Sequence, residues 1–233
     1  AGLRYEDIDL LKKDYTKEDL ARSGKVRIET PNHARVLIPG IGVHYQLLPA
    51  ASVFFGIHKG FAPPSAELYQ KPESSVNMEL GTRVSIGKFK AELIGFYNNY
   101  SNMLGSDLAA SGGSGTLEQF NVGEARVKGA EFLVQYQPLP HTCSLRLPLQ
   151  LSYTYTDTEM RNSFESHSWG NVVRGDEIPY IFKHALNMQL GIEYKWFYAN
   201  IGARYNSDMR TSPGQGTIAE REKVPANLIL DAS

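Results

Sequence analysis

The chain has 233 residues, with 25 acidic against 24 basic side chains and a single cysteine, Cys143. A formal net charge of −1 offers no basic face for nucleic acid, and one thiol allows neither an internal disulfide nor a cysteine metal knuckle. No run of about 18 apolar residues exists, which excludes a transmembrane helix but not a membrane-crossing sheet, whose hydrophobicity is hidden in alternation.

The opening AGLRYEDIDLLKKDY lacks a charged segment followed by an apolar one, so no export signal is visible, and it reads as a strand already under way. A mixed-charge connection is expected over 9 to 34. From 35 to 47, Leu37, Ile41, Val43, Tyr45 and Leu47 share one parity, and "LPA" turns the chain into 51 to 61, where Val53, Phe55 and Ile57 alternate with Ser52, Gly56 and His58. After a Pro-rich stretch, Val76, Met78, Leu80, Val84 and Ile86 alternate with Asn77, Glu79, Gly81, Arg83 and Ser85. "GK" then reverses the chain into a partner strand at 89 to 103. Further strands are expected at about 118 to 137, at 145 to 159, at 184 to 194 and at 197 to 205, with a last one in EKVPANLILDAS that stops as though cut. The reading is therefore all-β, with about ten strands in a fragment of a longer exported protein. No segment sustains a 3.6-residue period, so no core helix is expected.

Connections at 48 to 50, 87 to 88 and near 195 are tight, and that at 138 to 144 is slightly longer. Those at 9 to 34, 62 to 72, 104 to 117, 160 to 179 and 211 to 222 are long. Alternation of short and long connections along the chain is what an up-and-down antiparallel membrane barrel produces, with one end trimmed and the other decorated.

Strands of ten or more residues suit about 30 Å of hydrocarbon better than the usual globular strand of about 5 to 6. Tyr45, Tyr97, Tyr136, Tyr153, Tyr155, Tyr194 and Tyr205 lie in the apolar parity, as an interfacial aromatic girdle requires. The opposite parity holds Glu79, Arg83, Glu131, Arg146, Glu193 and Arg204 within the strands, with Gly81, Gly129, Gly191 and Gly202 placed to let a plug or a neighbouring backbone come close.

In order along the chain, GFAPPSAE, PESSVNMELGTRV, AELIGFYNNYSNML, FNVGEARVKGAEFLVQY, IPYIFKHALNMQLGIEY and IGARYNSDMRT resemble the C-terminal barrel half of TonB-dependent outer-membrane receptors, in particular the ferric-citrate and siderophore branch. The likeness covers about 36 to 230. Phe182 stands where many members have proline, which touches only the start of a strand. The resemblance implies a Gram-negative outer-membrane barrel of about 22 strands, of which residues 1–233 are the C-terminal portion, without the plug domain and the TonB box. It also implies TonB as partner through that missing N-terminal region, outer-membrane lipid around the barrel, and ferric citrate or a siderophore as the transported chelate. No permanently bound cofactor, no catalytic residue and no protein-bound metal is implied.

An anionic, oxygen-rich chelate calls for arginine forks, amides and tyrosine hydroxyls. Candidates are Arg83, Arg126, Arg174, Arg204 and Arg210, with Asn98, Asn99 and Tyr100 on the NNYSN rim and His167 beside Trp169. The competing expectation is that these arginines pair with wall carboxylates such as Glu79 or Glu131. His33, His44, His58, His141, His167 and His184 show no metal-ligand spacing. Two other function classes stand beside the receptor: a barrel enzyme using Ser101, Asp107, His167 and Asp176, for which no motif sets a nucleophile against a base, and a β-sandwich surface adhesin.

Overall fold

A computed structural model describes residues 1–15, 23–64, 71–106, 119–140, 142–166 and 169–233. Its strands are β1 (Gly2–Tyr15), β2 (Val26–Leu48), β3 (Ala51–Ala62), β4 (Glu73–Ile86), β5 (Phe89–Ser106), β6 (Gln119–Tyr136), β7 (Leu145–Arg146), β8 (Leu149–Met160), β9 (Phe164–Ser166), β10 (Gly170–Val172), β11 (His184–Tyr194), β12 (Phe197–Asn206), β13 (Met209–Arg210), β14 (Lys223–Val224) and β15 (Asn227–Ala232). One antiparallel sheet holds β1-β2-β3-β4-β5-β6-β8-β11-β12-β15 in that order, with β7 joined to β11. Every neighbour in this row is also a neighbour along the chain once the short strands are set aside, so the sheet is an up-and-down meander. No second layer packs on it among the described residues, which removes the β-sandwich alternative.

Registers define the two faces. Directly opposed residues of an antiparallel pair point the same way, so Tyr45, Val53, Thr82, Leu93, Phe132, Tyr153, Leu186, Tyr205 and Leu228 form one continuous row across nine strands. Leu80 is 63% exposed, Ile201 50% and Leu230 70%, all on this face. Tyr97, Tyr136, Tyr155 and Tyr194 lie on it too. The opposite face carries the row Ser52, Arg83, Glu92, Leu133, Ser152, Asn187 and Arg204. A chain of this size that exposes one whole apolar face while burying, prolines and glycines aside, only Ala34, Val36, Ala125, Met160, Val172 and Ile178 among its described apolar residues is built for lipid, because water would penalise every row.

Three expectations are corrected. Residues 9 to 34 are mostly strand: β1 and β2 pair from Gly2↔Gly40 to Tyr15↔Val26, leaving only 16 to 25 as connection. The alternation fades there because both faces of a ribbon standing beyond the bilayer meet water. The strand expected at 145 to 159 is interrupted, since Pro148 has no N–H for the ladder; β7 pairs with β11 and the strand restarts at Leu149. Pro225 likewise splits the last strand, and β14 leaves the sheet to pair with β13.

The inward glycines serve the wall itself. A Cβ on Gly81 would stand 2.3 Å from the Phe54 ring and one on Gly129 would stand 2.6 Å from Phe96, each the residue directly across the pair. On Gly191 the neighbour is Pro148, and on Gly202 it is the Asp231 carboxylate. The Gly129 Cβ would also meet the Tyr155 carbonyl at 1.9 Å, which is backbone and cannot rotate aside. Gly129→Ala is therefore expected to lower stability by about 3 kcal/mol, at the upper end of overpacking costs, as measured by denaturant unfolding in vesicles; an unchanged midpoint would contradict this packing.

Candidate functional site

The connections sort by end. β2–β3, β4–β5 and β11–β12 turn within 49–50, 87–88 and 195–196, whereas 16–25, 63–72, 107–118, 161–183 and 207–226 all leave the opposite end. Two of these long connections, 161–183 and 207–226, lie largely within the described residues and show how a functional surface is made.

Residues 161–183 carry the β9–β10 hairpin and then fold back along the top of the inner face. Val172 and Ile178 pack with Ala125 and Met160 of β6 and β8, flanked by Tyr100, Met103, Phe164, Trp169 and Ile181. This is the one sizeable apolar cluster among the described residues. Polar bonds fix the same fold-back: Met160 N–H donates to Asp176 O at 2.7 Å, Gly175 N–H to Met160 O at 2.8 Å, and Ile178 N–H to Thr158 Oγ1 at 2.9 Å.

The second connection, 207–226, docks against the first. Glu177 N–H donates to Gly214 O at 2.9 Å, and Tyr180 N–H donates to Arg210 O at 2.8 Å. Tyr180 sits at φ 61°, a conformation that costs a bulky side chain energy and is held here by that bond. Arg210, 5% exposed, donates Nε to Glu177 Oε2 at 3.0 Å and a terminal nitrogen to Gly216 O. Lys183 reaches the other oxygen of Glu177 at 2.6 Å. Between the two connections lies a cavity of about 250 Å³ lined by Glu177, Ile178, Lys183, Asp208, Arg210 and Thr217. In β14, across from Arg210, a hydrogen bond from Lys223 to Glu220 holds the Lys223 ammonium above its ordinary pKa.

The candidate residues do not form one constellation. Asn98, Asn99 and Tyr100 are consecutive in a strand and cannot share a face. Asn98 and Tyr100 point inward, Tyr100 against the apolar cluster, whereas Asn99 shares the outward face with Arg126. Arg126 is ion-paired to Glu159 and lies over the Tyr97 ring at 5.9 Å. Arg83 is inward but near the short-turn end, ion-paired to Glu92 and 4.4 Å over the Phe54 ring. Arg210 is engaged with Glu177. The arginines that pair thus use Glu92, Glu159 and Glu177, not Glu79 or Glu131. Arg204 lies on the inward row opposite Asn187, and its guanidinium has no partner among the described residues. Arg174 is exposed at the long-connection end. His167 lies outside the described residues.

Of the residues of the enzyme alternative, Ser101 and Asp176 are among those described. Asp176 is buried, accepting Val173 N–H at 2.8 Å and Gln215 Nε2 at 3.1 Å, while Ser101 stands across from Ser74. Asp107 and His167 lie outside the described residues. No group of histidine, cysteine and carboxylate side chains suited to a metal ion occurs among the described residues. His184 instead bonds the Tyr153 hydroxyl at 2.8 Å on the outward face.

Sequence reasoning missed the Glu177–Arg210–Lys183 group. The signal was faint, because the three residues are separated by up to 33 positions and nothing local announces that two connections will dock.

Solved structures of several siderophore receptors share the fold of this sheet. The siderophore receptor PiuA from Acinetobacter baumannii superposes with a TM-score of 0.70 at 17% identity, over 99% of this chain and 33% of that one. The ferric-catecholate import receptor Fiu from E. coli K12 gives 0.64 at 16% identity, over 98% and 34%. The ferric yersiniabactin uptake receptor FyuA from Yersinia pestis gives 0.62 at 16%, over 88% and 30%. The chain spans about one third of the length of these structures, and at such identities the likeness is one of fold. No curated protein matches the sequence. The family model described as "TonB dependent receptor-like, beta-barrel" matches residues 1–233, and the chain accordingly belongs to the TonB-dependent receptor β-barrel family.

Proposed function

We propose that this chain is the C-terminal part of an outer-membrane receptor barrel that binds a ferric chelate, ferric citrate or a siderophore, at the long-connection end and imports it by TonB-coupled active transport. In this reading the remaining strands, the plug and the TonB-contacting segment belong to parts of the receptor outside residues 1–233. The observation that carries it is the combination of one lipid-suited face, one polar face and long connections gathered at one end, in a chain of this family. Membership alone leaves the cargo open. The solved relatives are named for siderophores, ferric enterobactin and ferric yersiniabactin, which favours a chelated ferric ion as cargo here.

Chemically, the wall suits an anionic chelate. Arg204 stands on the inward face with its charge unpaired among the described residues, and Asn187, Ser152 and the Gln135–Gln150 amide pair line the same face. A guanidinium in a partly desolvated channel binds carboxylate or catecholate oxygens through paired N–H donors.

The test is uptake by a strain lacking the complete receptor gene. Complemented cells should accumulate ⁵⁵Fe from at least one of ferric citrate or a siderophore panel, and lose this when TonB is absent. Complementation that restores uptake of none of them, or uptake that persists without TonB, would contradict the reading.

A further inference from the structure

Of the arginines considered as ligand contacts, Arg174 combines a pinned backbone with a charge that no carboxylate pairs among the described residues. Its N–H donates to Ser163 Oγ at 2.9 Å, and its carbonyl accepts from Gln215 Nε2 at 3.2 Å. The turn around it is closed on itself by Val173 N–H to Asp176 Oδ2 at 2.8 Å and Asp176 N–H to Val173 O at 3.0 Å. Gly175, at φ 98°, makes the sharp bend and ties the turn to Met160 of β8. Ser163 lies ahead of β9 and Gln215 belongs to the other docked connection, so three separate segments fix one residue.

The side chain itself is left out of this network. The nearest carboxylate in sequence, Asp176, is 6% exposed and engaged by Val173 N–H and Gln215, so it does not neutralise the guanidinium. Among the described residues no carboxylate pairs with Arg174, in contrast to Arg83, Arg126 and Arg210, each of which holds one.

Fixing the backbone before a partner arrives removes that part of the ordering cost, so that only the side chain's own freedom is lost on binding. A planar fork held on a rigid turn selects oxyanions with two oxygens to offer. We infer that Arg174, its backbone held by the docked pair of connections 161–183 and 207–226, is a recognition residue for a negatively charged chelate, and that the paired Arg210–Glu177 is the brace between those connections and not a ligand contact. This rests on the receptor reading above and assigns its charge selectivity.

The test uses the purified complete receptor and equilibrium binding of ferric citrate, a ferric tris-catecholate and a neutral ferric trihydroxamate. Wild type should bind an anionic chelate, and Arg174→Gln should weaken that binding at least tenfold. Arg174→Lys should recover part of the loss. Gln215→Ala, which loosens the turn and keeps the charge, should fall between wild type and Arg174→Gln, and raised salt should shrink the differences. Because Arg174 is exposed, Arg174→Gln should leave the thermal midpoint unchanged. An anionic chelate bound equally by wild type and Arg174→Gln would overturn this inference alone, as would a wild type that binds only the neutral chelate. A wild type that binds none of the three would overturn the receptor reading with it.

Discussion

Ile201→Arg is expected to weaken insertion of the complete receptor into phospholipid vesicles by about 2–4 kcal/mol, whereas Gln189→Arg should cost under about 1 kcal/mol. The two positions lie in neighbouring strands within one step of register, Ile201 opposite Leu190 and Gln189 opposite Gly202. They differ only in the face they present. A guanidinium at Ile201 must either enter hydrocarbon or drag water and headgroups toward it, while one at Gln189 joins a polar row with Gln135 and Gln150. Equilibrium unfolding from vesicles reads both. Equal costs at the two positions would mean that the faces are not chemically distinct.

The second large effect is expected in the docked connections. Glu177→Ala leaves Arg210, at 5% exposure, without its carboxylate, and loss of one member of a buried pair costs about 3–5 kcal/mol. Glu177 is itself partly exposed, so the lower figure, about 3 kcal/mol, is expected for opening of this region. Arg210→Ala should cost less, about 1–2 kcal/mol, because Lys183 still balances Glu177 at 2.6 Å. Hydrogen exchange at the Tyr180 and Thr211 amides, whose bonds cross or close these connections, measures both substitutions. Acceleration confined to the segment that carries the substitution would show that the two connections are not coupled.

How much of this was legible follows from what each level of structure demands of sequence. Inside the bilayer the demand is severe, since lipid on one side and polar groups on the other force period-2 alternation. Hence Val53 to Ile57, Val76 to Ile86 and Leu186 to Tyr194 declared both their strands and their faces. Beyond the bilayer nothing enforces the pattern, so residues 9 to 34, the second half of β1 and the start of β2, read as a connection although the two strands pair without interruption from Gly2 to Asp14. Prolines decided the remaining errors of extent: Pro148 and Pro225 stop ladders that hydrophobicity alone would carry through.

The candidate site was legible only as a list of residue types. That a cation should face an anionic cargo is chemistry, but which cations are free depends on pairings set by register and by loop docking. Arg83 and Glu92 meet because β4 and β5 turn at Gly87, so this pair followed from a correct register. Arg126 meets Glu159 by the same logic, on the outward face. Arg210 meets Glu177 across two connections, and no periodicity encodes that. The adjacent residues Asn98, Asn99 and Tyr100 form a group by composition only, and strand geometry separates them.

The whole account depends on which way the apolar rows point. Nitroxide labels placed one at a time at Leu190, Ile201 and Gln189 of the complete receptor, in liposomes and with Cys143 replaced by serine, report this through collision with oxygen, which partitions into lipid, and with a water-soluble nickel chelate. High oxygen and low nickel accessibility at Leu190 and Ile201, with both quenchers weak or nickel dominant at Gln189, is the expected result. Nickel accessibility at Leu190 and Ile201 equal to that of a label in the exposed turn at Lys195 would place those rows in water and contradict the membrane-facing sheet.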